Sequence, residues 1–206
     1  MMKTIRMPIG IRYRSISIIL GALLVIILTG CDVLINPTPT MTPTPQSCLV
    51  GIWEIKAPES FMRASIPVGS FDPATLDYRD SMGSVAYRFA AEGVLTVEAV
   101  NFTGSFDVQE GIDLLTLDIQ MSGFATGRYQ LEGNLVRVTE ILSSGMQFSA
   151  LYDKEEMMSD VKADAFLPLF AKPYNNAAFT CDHEKLSLEL PNFPNIQGAL
   201  EFERLR

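Results

Sequence analysis

TGSFDV at residues 103–108 and TGRYQL at residues 126–131 share the pattern Thr-Gly-x-aromatic-x-aliphatic. Each copy is followed by a glycine, Gly111 or Gly133, and then by a second alternating run, DLLTLDI or NLVRVTEI. Apolar and polar residues that alternate with period two are typical of half-buried strands, and glycine supplies the positive φ that tight hairpin turns need. The repeat therefore predicts two β-hairpins in an antiparallel meander.

Further strand-like segments lie on both sides of the repeat. They cover residues 48–55, 85–89, 94–100, 145–152, 177–181, 186–190 and 200–204. Together with the repeated hairpins they give about nine or ten short strands, which predicts an all-β fold. Because closure removes exposed sheet edges, we expect an antiparallel meander β-barrel of about 8–10 strands rather than a sandwich.

One segment changes its period. Between residues 153 and 170, apolar side chains recur at three- to four-residue spacing, at Met157, Val161, Ala165 and Leu169. This spacing predicts one inserted amphipathic helix, ended by Pro168 or Pro173. A shorter helix is predicted near residues 58–64, inside a long connection over residues 57–83 whose apolar side chains are expected to cover one end of the domain.

Residues 1–30 have the layout of an export signal. They contain four cations and no acid, followed by the apolar run ISIILGALLVIIL at residues 16–28. Thirteen residues at about 1.5 Å each fall short of the ~30 Å hydrocarbon core, which favours a cleaved signal over a spanning helix. The run ends in Leu28-Thr29-Gly30-Cys31, which resembles the lipobox of bacterial lipoproteins.

This resemblance implies cleavage before Cys31 and its modification with fatty acyl chains such as palmitate. Acyl chains contribute about 0.8 kcal/mol per buried methylene, so they would hold the protein on a membrane without a spanning segment. The alternative is an ordinary signal peptide or uncleaved anchor that ends in a cysteine by chance. The expected location is the cell envelope, on the outer face of the cytoplasmic membrane or on another envelope membrane, with the domain outside the cytoplasm.

Residues 31–47 form a predicted linker and residues 48–206 the predicted domain. The linker contains NPTPTMTPTPQ at residues 36–46, where proline alternates with threonine. Because proline has no N–H donor and a fixed φ, we expect an extended spacer of ~3.1 Å per residue. A proline-rich ligand for another protein is the alternative interpretation.

Charge limits the partners of the domain. The whole chain carries a formal charge of −8, and loss of residues 1–30 leaves 12 cations against 24 acids, a charge of −12. An acidic surface repels nucleic acid and anionic bilayers. We therefore expect no nucleic-acid partner and a membrane contact made by the lipid on Cys31; protein partners are not predicted.

Cysteine use also fits an exported protein. Besides Cys31, the chain contains Cys48 and Cys181, near the two ends of the domain. In an oxidising compartment these two are predicted to form a disulfide, worth ~4–5 kcal/mol in the chain-entropy model. Two buried free thiols are the alternative.

Catalytic and metal-ligating side chains are scarce. His183 is the only histidine and lies among charged residues of a predicted hairpin turn. A zinc site wants several His or Cys ligands, and Asp72, Asp77 and Asp80 lack the regular spacing of a calcium loop. We therefore expect no enzyme activity, no catalytic residue, no metal and no cofactor.

Gly51-x-Trp53 on the first strand, the meander of hairpins, and Arg204 on the last strand resemble the lipocalin-like (calycin) barrels, which include small domains of bacterial lipoproteins. The resemblance implies that Trp53 closes one end of the barrel and that Arg204 packs on it. It also implies lipophilic ligand binding as one use of the fold. The long connection after the first strand and the predicted helix depart from the family pattern.

Two functional hypotheses follow. In the first, the barrel binds a small apolar ligand between side chains that line its interior: Tyr87, Phe89, Val97, Leu115, Leu117, Tyr129, Leu131, Val136, Val138 and Phe202. In the second, the same side chains fill the interior, because eight strands leave room for little more than side chains or one small ligand. The protein would then be a structural or partner-binding component of the envelope.

Overall fold

The computed structural model describes residues 48–66, 70–159, 161–172, 175–191, 193 and 198–206. The predicted signal, Cys31 and the linker lie outside these residues. Within the described part, the domain is all-β and antiparallel. The ten strands are β1 (Gly51–Ile55), β2 (Leu76–Phe89), β3 (Val94–Glu110), β4 (Asp113–Glu132), β5 (Leu135–Ser144), β6 (Gln147–Tyr152), β7 (Glu155–Ser159), β8 (Asn176–Cys181), β9 (Lys185–Glu189) and β10 (Ala199–Arg204).

Eight of these strands are hydrogen-bonded in a ring. The order β1–β2–β3–β4–β5–β8–β9–β10 returns to β1, and every pairing is antiparallel. Strands β6 and β7 stand outside this ring, since β6 pairs with residues 117–122 of β4 and β7 pairs with β6.

The repeated phrase forms the two hairpins that the sequence predicts, with β4 shared between them. β3 and β4 join through the turn at Gly111 (φ 62°), and β4 and β5 join through the turn at Gly133 (φ 63°). Two parts of the 20-residue β4 pair with different strands: residues 117–122 pair with β6 and residues 125–132 pair with β5. We call the far part of the sheet, made of residues 76–82, 102–110 and 113–121 with β6 and β7, the extension sheet.

The core lies on the inward face of these strands. Helix α1 (Pro58–Ser65) covers this face, and its Phe61 ring packs edge-on against Tyr87 at 6.5 Å and Phe102 at 5.6 Å between centroids. Its Met62 side chain contacts Gly104, where a larger residue would collide with it. The sequence predicts this helix correctly, and the connection does bring apolar side chains onto the core.

The predicted helix over residues 153–170 is wrong. Asp153 and Lys154 adopt positive φ (48° and 70°) in a turn from β6 into β7, and the helix that follows among the described residues, α2 (Ala163–Phe166), has four residues. The backbone of residues 155–159 pairs with the free edge of β6 instead of with itself. Met157 is 39 % exposed and Met158 packs on the core, so adjacent side chains of this segment face opposite sides, as in a strand.

The second strand is longer than the sequence predicts. β2 begins at Leu76, inside the predicted connection, and its first half pairs with β3 from Leu76↔Val108 to Met82↔Thr103. Register shifts after Tyr78 and after Met82 interrupt the alternation there. Because bulges break the period-two pattern, the first half of the strand does not look like a strand in the sequence.

Candidate binding cleft

Arg204 on β10 and Trp53 on β1 are in direct contact. The Arg204 Cζ atom lies 4.4 Å from the Trp53 ring centroid, and its Nη2 and Nη1 donate hydrogen bonds to the carbonyls of Cys48 (2.6 Å) and Val50 (3.2 Å). Gly51 has a φ of +153°, and a Cβ there would lie 2.9 Å from Arg204 Nη1. The glycine of the Gly-x-Trp motif therefore leaves room for the guanidinium.

A disulfide lies beside this cluster. Cys48 and Cys181 are bonded, with their Cα atoms 5.8 Å apart, which confirms the predicted bridge. It ties the segment before β1 to the end of β8 across a sequence separation of 133 residues. Since the Cys48 carbonyl also accepts from Arg204, the bridge and the guanidinium hold the same segment before β1.

The side chains predicted to line a ligand cavity pack against one another. Nine of the ten are buried, and Leu115 is half-buried at the far end of β4. The Tyr87 and Phe202 ring centroids are 5.1 Å apart, and those of Phe89 and Tyr129 are 5.4 Å apart. None of the ten lines the two cavities found at the extension sheet and beside helix α2.

The first cavity, of 340 Å³, lies on the outward face of the extension sheet. Cross-strand pairing places Thr103 opposite Gln120, Gln120 opposite Ser149, and Ser149 opposite Ser159, in one row across β3, β4, β6 and β7. A second row adds Asn101, Ser122 and Gln147. Besides the buried Phe102, Met121 and Phe148, the lining residues carry three amide and four hydroxyl side chains, and none of the lining residues is ionisable.

A β-bulge shapes one wall of this cavity. The register of β3 and β4 shifts between Ala99 and Phe102, and Asn101 in the bulge has a φ of 45°, in the left-handed region. Bulges re-aim side chains, and a left-handed conformation at a residue other than glycine stores strain. Gly83 faces this bulge, and a Cβ there would collide with the carbonyl of Asn101.

The second cavity, of 420 Å³, adjoins the first at Gln147, which lines both. It lies between the end of β5 and helix α2, and its wall includes Ile141, Met146 and Val161 together with Lys162 and Asp164. We call the two cavities together the outer cleft. Its two compartments differ in chemistry, because the first is neutral and polar and the second is partly apolar and carries both signs of charge.

Sequence reasoning did not single out the outer cleft. The available signal was a run of uncharged polar residues at outward positions, such as Gln120, Ser122 and Gln147, in a chain whose other outward positions are rich in acids. The bulge that gathers them has no clear sequence signature.

His183, which was considered as a catalytic or metal-binding residue, lines neither cavity. His183 is exposed in the turn between β8 and β9, where the Asp182 carboxylate accepts backbone N–H bonds from Glu184 and Lys185 at 2.7 Å. These bonds lower the pKa of Asp182. Among the described residues, no group of three or more His, Cys, Asp or Glu side chains is arranged to hold a metal ion.

The part of the chain that the structure describes contains no helix with the length and apolar character needed to cross a membrane. Comparison with protein-family models, with curated proteins and with solved structures found no match.

Proposed function

We propose that this chain is a lipid-anchored lipoprotein of the bacterial cell envelope that acts as a binding module through its outer cleft. The lipobox-like Leu28-Thr29-Gly30-Cys31 and the Pro/Thr spacer support the anchor. In this proposal the ring of eight strands closes as a calycin-like barrel, with Trp53 and Arg204 at one end. The disulfide supports an oxidising, extracytoplasmic location.

The location of the cavities is the observation that supports the binding role. Nine of the ten residues predicted to line the interior are buried, and two pairs of aromatic rings among them are in contact. By contrast, a cavity of 340 Å³ lies on the outward face of the extension sheet and one of 420 Å³ lies between the end of β5 and helix α2. Small-molecule sites are typically concave and about 300–1,000 Å³. This contrast supports the hypothesis of a filled interior over that of an apolar ligand held inside the barrel.

Native mass spectrometry of the full chain, purified from bacterial membranes in detergent micelles, tests both parts. We expect a mass that begins at an acylated Cys31 and carries no further adduct. The Cys31→Ala variant is the control, since it should lose the acyl mass and keep residues 1–30.

A lipid-sized adduct retained by the acylated protein would contradict the filled interior and favour the apolar-ligand hypothesis. A wild-type mass that exceeds that of Cys31→Ala by only the one sulfur atom of the cysteine would contradict the anchor. The two outcomes are independent, because one concerns the N-terminal mass and the other a non-covalent addition to it.

A further inference from the structure

We infer that the first compartment of the outer cleft binds a neutral, polyhydroxylated ligand, that is, a sugar or short uncharged glycan. The inference rests on the proposed function, because it names the ligand class of the same cleft. Three features support this ligand class: the uncharged lining of the first compartment, the spacing of its polar groups and one exposed aromatic side chain nearby.

The charge of the first compartment excludes most ionic ligands. The mature chain would carry a charge of −12, yet none of the residues that line this compartment is ionisable. The nearest acid along β4, Asp118, accepts a hydrogen bond from Ser105 at 2.5 Å and does not line the cavity. An anion would find no cationic partner here, and a cation would find no carboxylate, so recognition must use hydrogen bonds.

The lining offers such bonds in a regular array. Strands lie about 4.7–4.9 Å apart, so the row Thr103, Gln120, Ser149 and Ser159 presents one polar group at each such step. Amide side chains both donate and accept, and hydroxyls do the same. A sugar has the matching pattern, because each of its hydroxyls is also donor and acceptor and they are distributed around a ring of similar width.

Phe124 lines neither cavity but is an exposed aromatic side chain close to the first one along β4. It lies two residues beyond Ser122, at the next outward position of β4, and is 50 % exposed. Its ring reaches the β5–β6 connection, where a Cβ at Gly145 would lie 4.0 Å from its Cε1 atom. An aromatic face held open beside a row of amides and hydroxyls suits the C–H face of a pyranose ring.

The test uses the full lipidated chain in a detergent without a sugar headgroup, such as LDAO. Chitotriose, maltotriose and cellotriose are the neutral probes, and trigalacturonic acid is the anionic control. Saturation-transfer NMR and calorimetric titration should show saturable binding of at least one neutral trisaccharide and none of the anionic one.

Matched variants test whether the sugar binds in the outer cleft. Gln120→Ala should weaken it by at least about tenfold, whereas Gln130→Ala, an exposed glutamine of the same strand outside the cleft, should not change it. Phe124→Ala should weaken it as well, with the exposed Leu114→Ala as its control. Circular dichroism of each variant checks that the fold is kept.

Three results would overturn the inference: no neutral trisaccharide binds, binding is lost equally in Gln120→Ala and Gln130→Ala, or the anionic sugar or a neutral Gly/Ser peptide binds in place of the neutral sugars. Each of these leaves the mass-spectrometric test of the filled interior and the anchor untouched, so the two proposals fail separately.

Discussion

The guanidinium of Arg204 on the last strand lies over the indole of Trp53 on the first strand, 4.4 Å from the ring centroid. The indole N–H donates to the carbonyl of Leu49 at 2.8 Å, and the guanidinium donates to the carbonyls of Cys48 and Val50. Because β1 and β10 also pair through Trp53↔Arg204, this contact fixes the register where the ring of strands returns to its start.

Removing the contact between Arg204 and Trp53 should lower the stability of the fold. Arg204→Ala removes two hydrogen bonds from a charged donor and a cation–π contact, and we expect the free energy of unfolding to fall by about 3 kcal/mol. Arg204→Lys should recover only part of this, because one ammonium group cannot reproduce the planar fork that spans two carbonyls. Urea unfolding followed by the fluorescence of Trp53, the only tryptophan, measures both.

Arg88→Ala is the matched control, since Arg88 is exposed on the outward face of β2. It should leave the unfolding midpoint within error of the wild type. Equal stability of wild type and Arg204→Lys would show that charge alone, and not the two-pronged geometry, matters at this position.

The disulfide should contribute measurably to stability. Replacing Cys48 and Cys181 by serine opens a loop with a sequence separation of 133 residues. We expect a loss of about 2–5 kcal/mol, since removing a native bridge frees the unfolded chain. Urea unfolding with and without reductant checks this: the wild type should shift with reductant and the double variant should not. A wild type insensitive to complete reduction would contradict it.

Most strands of the domain can be predicted from the sequence, because apolar and polar residues alternate wherever a strand is regular. The doubled Thr-Gly phrase, the pair Cys48 and Cys181, and the short helix after residue 57 all have local signals that agree with the fold. The segment containing Met157 and Met158 shows the limit of this reading. Its weak helical period was overridden by hydrogen bonding to the open edge of β6, a tertiary effect that no local pattern carries.

The outer cleft depends on the same kind of non-local information. Thr103, Gln120 and Ser149 are ordinary outward residues in three separate strands, and only the register brings them into one row. That register is in turn shifted by the bulge at Asn101. A sequence can show that such positions face outward, but it does not show which of them become neighbours.

Gly83 should be needed for this bulge. Its φ is +79°, and a Cβ would collide with the backbone carbonyl of Asn101. Gly83→Ala is therefore expected to cost about 2–3 kcal/mol through strain and backbone displacement. Gly133→Ala is the control, because Gly133 also has a positive φ (63°) but nothing within 4 Å of its Cβ position.

The difference in the free energy of unfolding between these two variants measures the collision with Asn101 separately from the cost of a positive φ at alanine. Thermal unfolding by far-UV circular dichroism measures it. Equal losses of stability for the two variants would show that the bulge accommodates a methyl group at no additional cost in free energy.

Alkaline pH should destabilise the fold through its buried tyrosines. Burial raises the pKa of the Tyr87 hydroxyl well above its ordinary value of 10.0, and burial together with the nearby Glu92 raises the pKa of Tyr129 to about 12. In the unfolded chain both hydroxyls ionise near pH 10, so above that pH the folded state holds more protons. The free energy of unfolding is therefore unaffected by these groups below pH 10 and falls as pH rises beyond it.

Tyr87→Phe tests the larger of these contributions with little other change, because the Tyr87 hydroxyl makes only a long, 3.4 Å hydrogen bond to the carbonyl of Pro168. We expect the variant to match the wild type near pH 8 and to lose less stability between pH 10 and 12, by up to ~1.4 kcal/mol per pH unit. Urea unfolding by far-UV circular dichroism at pH 8, 10, 11 and 12 measures the slopes. Parallel slopes for wild type and Tyr87→Phe would mean that water reaches this hydroxyl, and with it the interior that the other side chains are proposed to fill.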